Sequence, residues 1–295
     1  MADRHPPVAV STGVYSQFPD YATPEAVAEG MRQIEADCFE ILLFGSWEDP
    51  LGAARTLAGA GRPVAVVHGA KHIGGLLGAE DPAMRRQGQN LTMRALEVAQ
   101  ILSAPCVNIH LWDLPDSDRN LDRNLEALAE LLPQVWRSGC RLLCETVPCQ
   151  ADVPWRGVQR ALELAEGLPD GPAHGPRLGV NLDLEFLAWH DGVHETLTRF
   201  VPAWGERLGN VHVKDFDGHP FGDDGRRRYV NPGDGKLDYP WIFGRLRAAG
   251  YQGPLTFEGN VTQAGGRAEA LAATNRYLER MRQWAADAWR EPDQP

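Results

Sequence analysis

No apolar run in the chain approaches the roughly 18–20 residues that a membrane-crossing helix needs, which argues against membrane-spanning classes. The opening residues, MADRHPPVAV, lack the long apolar core and small-residue cleavage site of a secretory signal, so a cytoplasmic protein is expected. Positive charge is in short supply: 29 Lys and Arg against 40 Asp and Glu leave a net charge of −11. That balance argues against broad contact with nucleic acid or an anionic membrane, though a locally basic groove stays open. The visible basic run, Arg226-Arg227-Arg228, stands beside Asp223 and Asp224, which neutralise much of it. Cysteine is scarce and odd in number, five in 295 residues, and Cys140, Cys144 and Cys149 match no standard zinc spacing. They read as small buried hydrophobes kept reduced. A glycine-rich phosphate loop is also missing, since the first strand leads only into Ser11-Thr12-Gly13.

What is present is a long alternation of short β-branched or apolar runs with helix-period segments. Strands are expected near Val8–Thr12, Cys38–Phe44, Pro63–His68, Cys106–His110, Arg141–Glu145, Leu178–Asp183, Asn210–Val213 and Leu255–Glu258. Helices are expected over Pro24–Glu35, Pro50–Ala60, Pro82–Leu102, Arg119–Ser138, Trp155–Glu166, His194–Pro202, Tyr239–Ala248 and about Ala268–Ala288. Thr23-Pro24 and Asp81-Pro82 carry the start signal of a capping residue followed by proline, and Gly61, Gly139 and Gly250 mark ends. With 43% hydrophobic residues and no clear break, 295 residues suit one closed (β/α)8 barrel, spanning about residues 8–288 with a short polar C-terminal tail. An open doubly wound sheet is the runner-up. The stretch Phe216–Tyr239, dense in Gly, Asp, Arg and Pro, reads either as a mobile surface loop or as an active-site lid. The amphipathic end of the chain, with Leu271, Tyr277, Leu278, Met281 and Trp284 at helical spacing, fits the last barrel helix or a contact in a homo-oligomer.

Four polar residues stand where apolar strand-like runs end: Glu145 in RLLCETV, Asp183 in LGVNLDL, His212 in NVHVKD and Glu258 in PLTFEGN. A charged or imidazole group there is costly unless something compensates it. In a barrel, functional groups come from the C-terminal strand ends and the loops that follow, so four such residues on successive strands suggest one shared partner. Three carboxylates and one imidazole form an oxygen-rich set for one divalent metal ion, Mn²⁺ first, with Mg²⁺, Co²⁺ or Zn²⁺ as alternatives. His68 and His110 end the third and fourth strands and fall at the same level.

At this point the chain resembles the xylose isomerase-like TIM barrels, which include sugar isomerases and epimerases, inosose dehydratases and AP endonucleases. The resemblance rests on His212-Val213-Lys214-Asp215, on Pro232-Gly233-Asp234-Gly235-Lys236-Leu237-Asp238-Tyr239 and on Phe257-Glu258, in order, with Glu145 and Asp183 upstream. It implies that Glu145, Asp183, His212 and Glu258 are metal ligands and that His68 and His110 contact substrate or an additional metal. Asp238 is expected to cap a helix. Two departures stand out. A histidine common three residues after the strand-six Asp is replaced by Phe186, and the pair Asp217-Gly218-His219 follows His212 too closely to serve as the endonucleases' Asp-x-His.

The resemblance further implies that Glu145 and Glu258 act as acid and base, exchanging a proton with a carbon beside a carbonyl through a metal-stabilised enediolate. His68, His110 and Lys214 would orient hydroxyls, although Lys214 could equally pair with Asp183 or Asp215. Trp47, Trp112 and Phe186 are candidate walls for a sugar, or simple packing. The expected activity is therefore isomerisation or epimerisation of a small sugar or related hydroxy-carbonyl compound. Dehydration of an inosose-like cyclic polyol shares the site. A DNA-repair hydrolase and a non-catalytic barrel subunit are less favoured.

Overall fold

The computed structural model describes residues 5–16, 21–113, 117–169, 171–172, 174–261 and 265–290. Eight parallel strands close on themselves in sequence order: β1 (Val8–Ser11), β2 (Cys38–Leu42), β3 (Val64–His68), β4 (Cys106–Ile109), β5 (Arg141–Glu145), β6 (Gly179–Asp183), β7 (Leu208–Val213) and β8 (Leu255–Phe257). The register of β8 against both β7 and β1 completes the ring and rules out the open sheet. The fold is a (β/α)8 barrel. Every strand is buried almost throughout, as parallel strands covered by helices on the outside must be, hence their near-continuous apolar character.

The helices are α1 (Pro24–Gln33), α2 (Pro50–Ala58), α3 (Ile73–Leu77), α4 (Pro82–Leu102), α5 (Leu121–Ser138), α6 (Pro154–Gly167), α7 (Leu184–Trp189), α8 (Val193–Glu195), α9 (Val201–Trp204), α10 (Tyr239–Ala248) and α11 (Arg267–Trp289). Their starts are set by local chemistry. Thr23, Asp49, Asp81 and Asp238 each accept a backbone N–H of the first turn, a cap that contributes about 1 kcal/mol, and a proline follows within two residues. Asp238 thus caps α10 as expected. Gly61 and Gly139 sit just past α2 and α5 with φ of 67° and 78°, a left-handed turn that a side chain would strain.

The expected helix over His194–Pro202 is instead α8 and α9 joined by one widened turn, Thr196–Phe200. Pro202 has no N–H to continue the regular ladder, which is why the chain re-forms a new helical start there. Two short helices, α3 and α7, were not anticipated because five and six residues are too few to establish a period. Four strands end earlier than expected: Thr12 lies past β1, Phe44 past β2, His110 past β4 and Glu258 past β8. The tail beyond α11 reaches residues 291–295, which lie outside the described residues.

Inside the ring, the lower layer is apolar: Val66, Cys106 and Leu143 pack together. Leu143 fills space left by Gly179 and Gly209, where an added Cβ would come within 2.4 and 2.6 Å of its Cδ2. Two residues further along β5, the alternation of the strand places Glu145 on the same inner side, one layer higher. The barrel is therefore plugged with hydrocarbon below and polar above, and the polar layer holds the site.

Candidate active site

One ligand atom from each of Glu145, Asp183, His212 and Glu258 lies within 4.8 Å of the others. His212 Nδ1 is central, 2.8 Å from Glu258 Oε2, 3.4 Å from Glu145 Oε1 and 3.6 Å from Asp183 Oδ2. All four are buried; Glu258, 9% exposed, is the member nearest solvent. His68, His110 and Glu145 form a second group of the same kind that shares Glu145. His68 Nε2 lies 3.1 Å and His110 Nε2 3.5 Å from Glu145 Oε2. The same oxygen accepts from Asn108 at 2.6 Å and Asn181 at 3.1 Å, so it is held by these two amides and His68, with His110 a little further off, while Oε1 faces His212.

Charge is concentrated here to a degree that burial alone would forbid. Of five buried carboxylates here, Asp183, Glu185 and Glu258 face Lys214, Glu185 also meets the half-buried Arg227, and Glu40 and Glu145 face His212. Burial by itself would raise the Glu145 carboxyl, but the His212 and His110 imidazoles hold it well below the usual carboxylate range. Burial likewise opposes charge on His212, yet Glu40, Glu258 and Glu145 raise it well above an ordinary imidazole. His68 is raised too, against burial, by Glu145. It donates from Nδ1 to the Gly69 carbonyl at 2.8 Å, so its other nitrogen must also carry a proton to meet Glu145 favourably. Burial pushes the Glu185 carboxyl up to about 7.

This arrangement has the donor chemistry for a divalent cation. Asp183 Oδ2 and Glu258 Oε2 are buried without a directed hydrogen bond, although Lys214 Nζ approaches each to 2.7 Å. The contact with Lys214 is one of charge. Oxygens left in that state, beside an imidazole nitrogen, are the set that Mn²⁺ or Mg²⁺ ligation uses. Lys214 also lies 4.0 Å from Glu185 and 4.6 Å from the Phe186 ring centre, and Lys71 stands at the rim, 4.0 Å from Glu258 Oε1.

The other expected residues are distributed as follows. The Trp112 indole is fully buried and donates to the Val147 and Pro148 carbonyls at 3.3 and 3.2 Å, away from the cluster. Trp47 donates to the Ala22 carbonyl at 2.5 Å and packs edge-on to Phe44. Phe186 carries Lys214 and Arg227 over its ring. Asp217 pairs with Arg228 and accepts the His219 N–H at 3.0 Å, so this pair closes a local turn.

The loop between β7 and α10 is tied down at both ends by Asp215, which accepts the N–H groups of Gly233 at 2.8 Å and Leu237 at 3.0 Å. Its Arg227 reaches Glu185 at 2.5 Å and lies against Phe186, Trp189 and Tyr229. The loop, the segment after β8 (Asn260 and Val261) and α11 (Ala273 and Tyr277) line a cavity of about 770 Å³, to whose walls none of the four clustered residues contributes. Glu40, Asn108, Asn210, Glu185 and Arg227 were not singled out by sequence as parts of this site.

Comparison with known proteins places the architecture among relatives. Solved structures of the same fold include D-allulose 3-epimerase from Methylomonas sp., with 18% identity, a TM-score of 0.70 and coverage of 95% of this chain and 98% of that one. L-ribulose 3-epimerase aligns with 17% identity and a TM-score of 0.67, over 94% and 96% of the two chains. The 3-keto-D-glucoside 4-epimerase of E. coli aligns with 18% identity and a TM-score of 0.65, over 92% and 98%. A search of curated protein sequences finds no match. The family model described as xylose isomerase-like TIM barrel matches residues 25–284, from the first helix to within the last. Since that match runs from α1 into α11 of the closed barrel, the chain belongs to the xylose isomerase-like TIM barrel family.

Proposed function

We propose that the protein is a divalent-metal-dependent isomerase or epimerase of a small sugar or related hydroxy-carbonyl compound. The observation that carries this reading is the meeting of Glu145 and Glu258 at His212 Nδ1, at 3.4 and 2.8 Å. They arrive from β5 and from just past β8, well separated around an eight-membered ring, so a substrate lying between them would have a carboxylate towards each face. That the fold is shared with proteins named as 3- and 4-epimerases of sugars supports the same chemistry here.

Glu145, Asp183, His212 and Glu258 would hold the ion. When bound, it supplies a Lewis acid that polarises a carbonyl and makes the adjacent C–H removable. One glutamate takes the proton from that carbon, and the other delivers a proton to the opposite face, which inverts the centre. Glu145 Oε2 is pinned by Asn108, Asn181 and His68, so Oε1 is the atom left to work. His68, His110 and Lys214 orient substrate hydroxyls, and burial excludes competing water.

The test is incubation of the Mn²⁺-loaded protein with a panel of ketoses and inososes in D₂O, followed by NMR. Deuterium appearing at a carbon next to the carbonyl, and absent with Glu258→Gln, is the expected result. A new conjugated-enone absorbance in place of exchange would assign a dehydratase. Neither signal with any metal would overturn the enzymatic reading.

A further inference from the structure

Glu40 is the only charged residue of β2, is fully buried, and is not used by the chemistry above. It reaches across the ring to β7. Its Oε2 lies 2.8 Å from His212 Nε2 and accepts from Asn210 Nδ2 at 3.1 Å. Asn210 is oriented in turn by Thr256 of β8, whose hydroxyl donates to Asn210 Oδ1 at 2.7 Å, turning the amide NH₂ towards Glu40. All four side chains are sealed from solvent, so each contact persists without competition from water.

A neutral imidazole has one N–H and one lone pair, and the partner of one nitrogen decides which is which. A carboxylate can only accept, so Glu40, at 2.8 Å the nearer partner of Nε2, requires the N–H there, while the Asn181 NH₂, 3.1 Å from Nε2 and 3.2 Å from Nδ1, favours neither nitrogen. The lone pair is then at Nδ1, the nitrogen that faces Glu145, Asp183 and Glu258. Ligating histidines commonly use such an outer carboxylate to fix ring orientation and tautomer. We propose that Glu40 is a positioning residue that locks His212 in the Nε2–H tautomer and so presents Nδ1 to the metal. The inference rests on the metal site proposed above.

The test uses the full-length protein labelled with ¹⁵N-histidine and loaded with diamagnetic Zn²⁺. Long-range ¹H–¹⁵N spectra, with the His212 signals identified by their absence from His212→Gln, should show a protonated Nε2 and an unprotonated Nδ1. Zn²⁺ and Mn²⁺ affinities are measured alongside by calorimetry. Glu40→Leu, which leaves no acceptor, should bind about 10–100-fold more weakly with an unchanged circular dichroism spectrum. Glu40→Gln retains an acceptor oxygen and should recover most of that loss and the wild-type tautomer. A protonated Nδ1 in the loaded wild type, or Glu40→Leu binding as tightly as wild type, overturns the role of Glu40 while leaving the metal site standing. Wild type that binds neither ion overturns both.

Discussion

Lys214→Met is the most informative single perturbation of the cluster. The ammonium is 5% exposed and lies 2.7 Å from both Asp183 Oδ2 and Glu258 Oε2, so it is the closest permanent cation to two of the four proposed ligands. Removing one partner of a buried ion pair costs about 3–5 kcal/mol, because the remaining charge keeps its desolvation penalty without its compensation. For a chain of this size each kcal/mol moves the melting temperature by about 2–4 °C, so the metal-free variant should melt on the order of 6–20 °C below wild type. A divalent ion among the same oxygens restores the missing positive charge, and most of the loss should return. Scanning calorimetry in EDTA and then in excess Mn²⁺ reads both quantities. An equal deficit in the two conditions would show that the ion does not bind at these oxygens. A chelated variant that melts with wild type would show that Lys214 is not their counter-charge.

Glu145→Gln and Glu258→Gln should each lower kcat by at least about 10²-fold with circular dichroism unchanged, and near wild-type turnover in either would refute the acid–base assignment. Asp183→Asn and His212→Ala should lower the metal retained through gel filtration, measured by elemental analysis; undiminished stoichiometric metal in both would remove them as ligands. Gly74→Ala should destabilise the fold by about 1–3 kcal/mol in urea melts, since its Cβ would stand 2.5 Å from the Trp112 backbone carbon. Gly75→Ala, with nothing within 4 Å, should be neutral or stabilising by up to about 1 kcal/mol, and similar losses in both would contradict the packing described for α3.

The strands were legible because a parallel barrel buries both faces of each, and eight short apolar runs with helix signals between them leave little else to build. Glu145, Asp183, His212 and Glu258 were legible for the converse reason: a polar group at the end of such a run needs a partner. Glu40 follows the same logic, standing inside the run CFEILLF, but a residue in mid-run gives no sign of which side of the barrel it faces. Asn108, Asn181 and Asn210 repeat it in VNI, VNL and GNV, each a polar residue inside an apolar run. Glu185 and Arg227 had no local signature, because their pairing spans 42 residues and depends on how the loop folds back on α7. Trp47 and Trp112 illustrate the opposite difficulty: an aromatic side chain beside a strand end has the same pattern whether it lines a pocket or packs beneath a loop.

The ring closes only when β8 docks between β7 and β1, and Glu258 follows that strand by one residue. During translation, then, a nascent chain already carrying Glu145, Asp183 and His212 still has two bare sheet edges, and it keeps them until the ribosome has released residues 255–257. The event that removes those edges also delivers the last carboxylate. Chains truncated before it would keep both edges bare and carry only two carboxylates and an imidazole of the four-membered site.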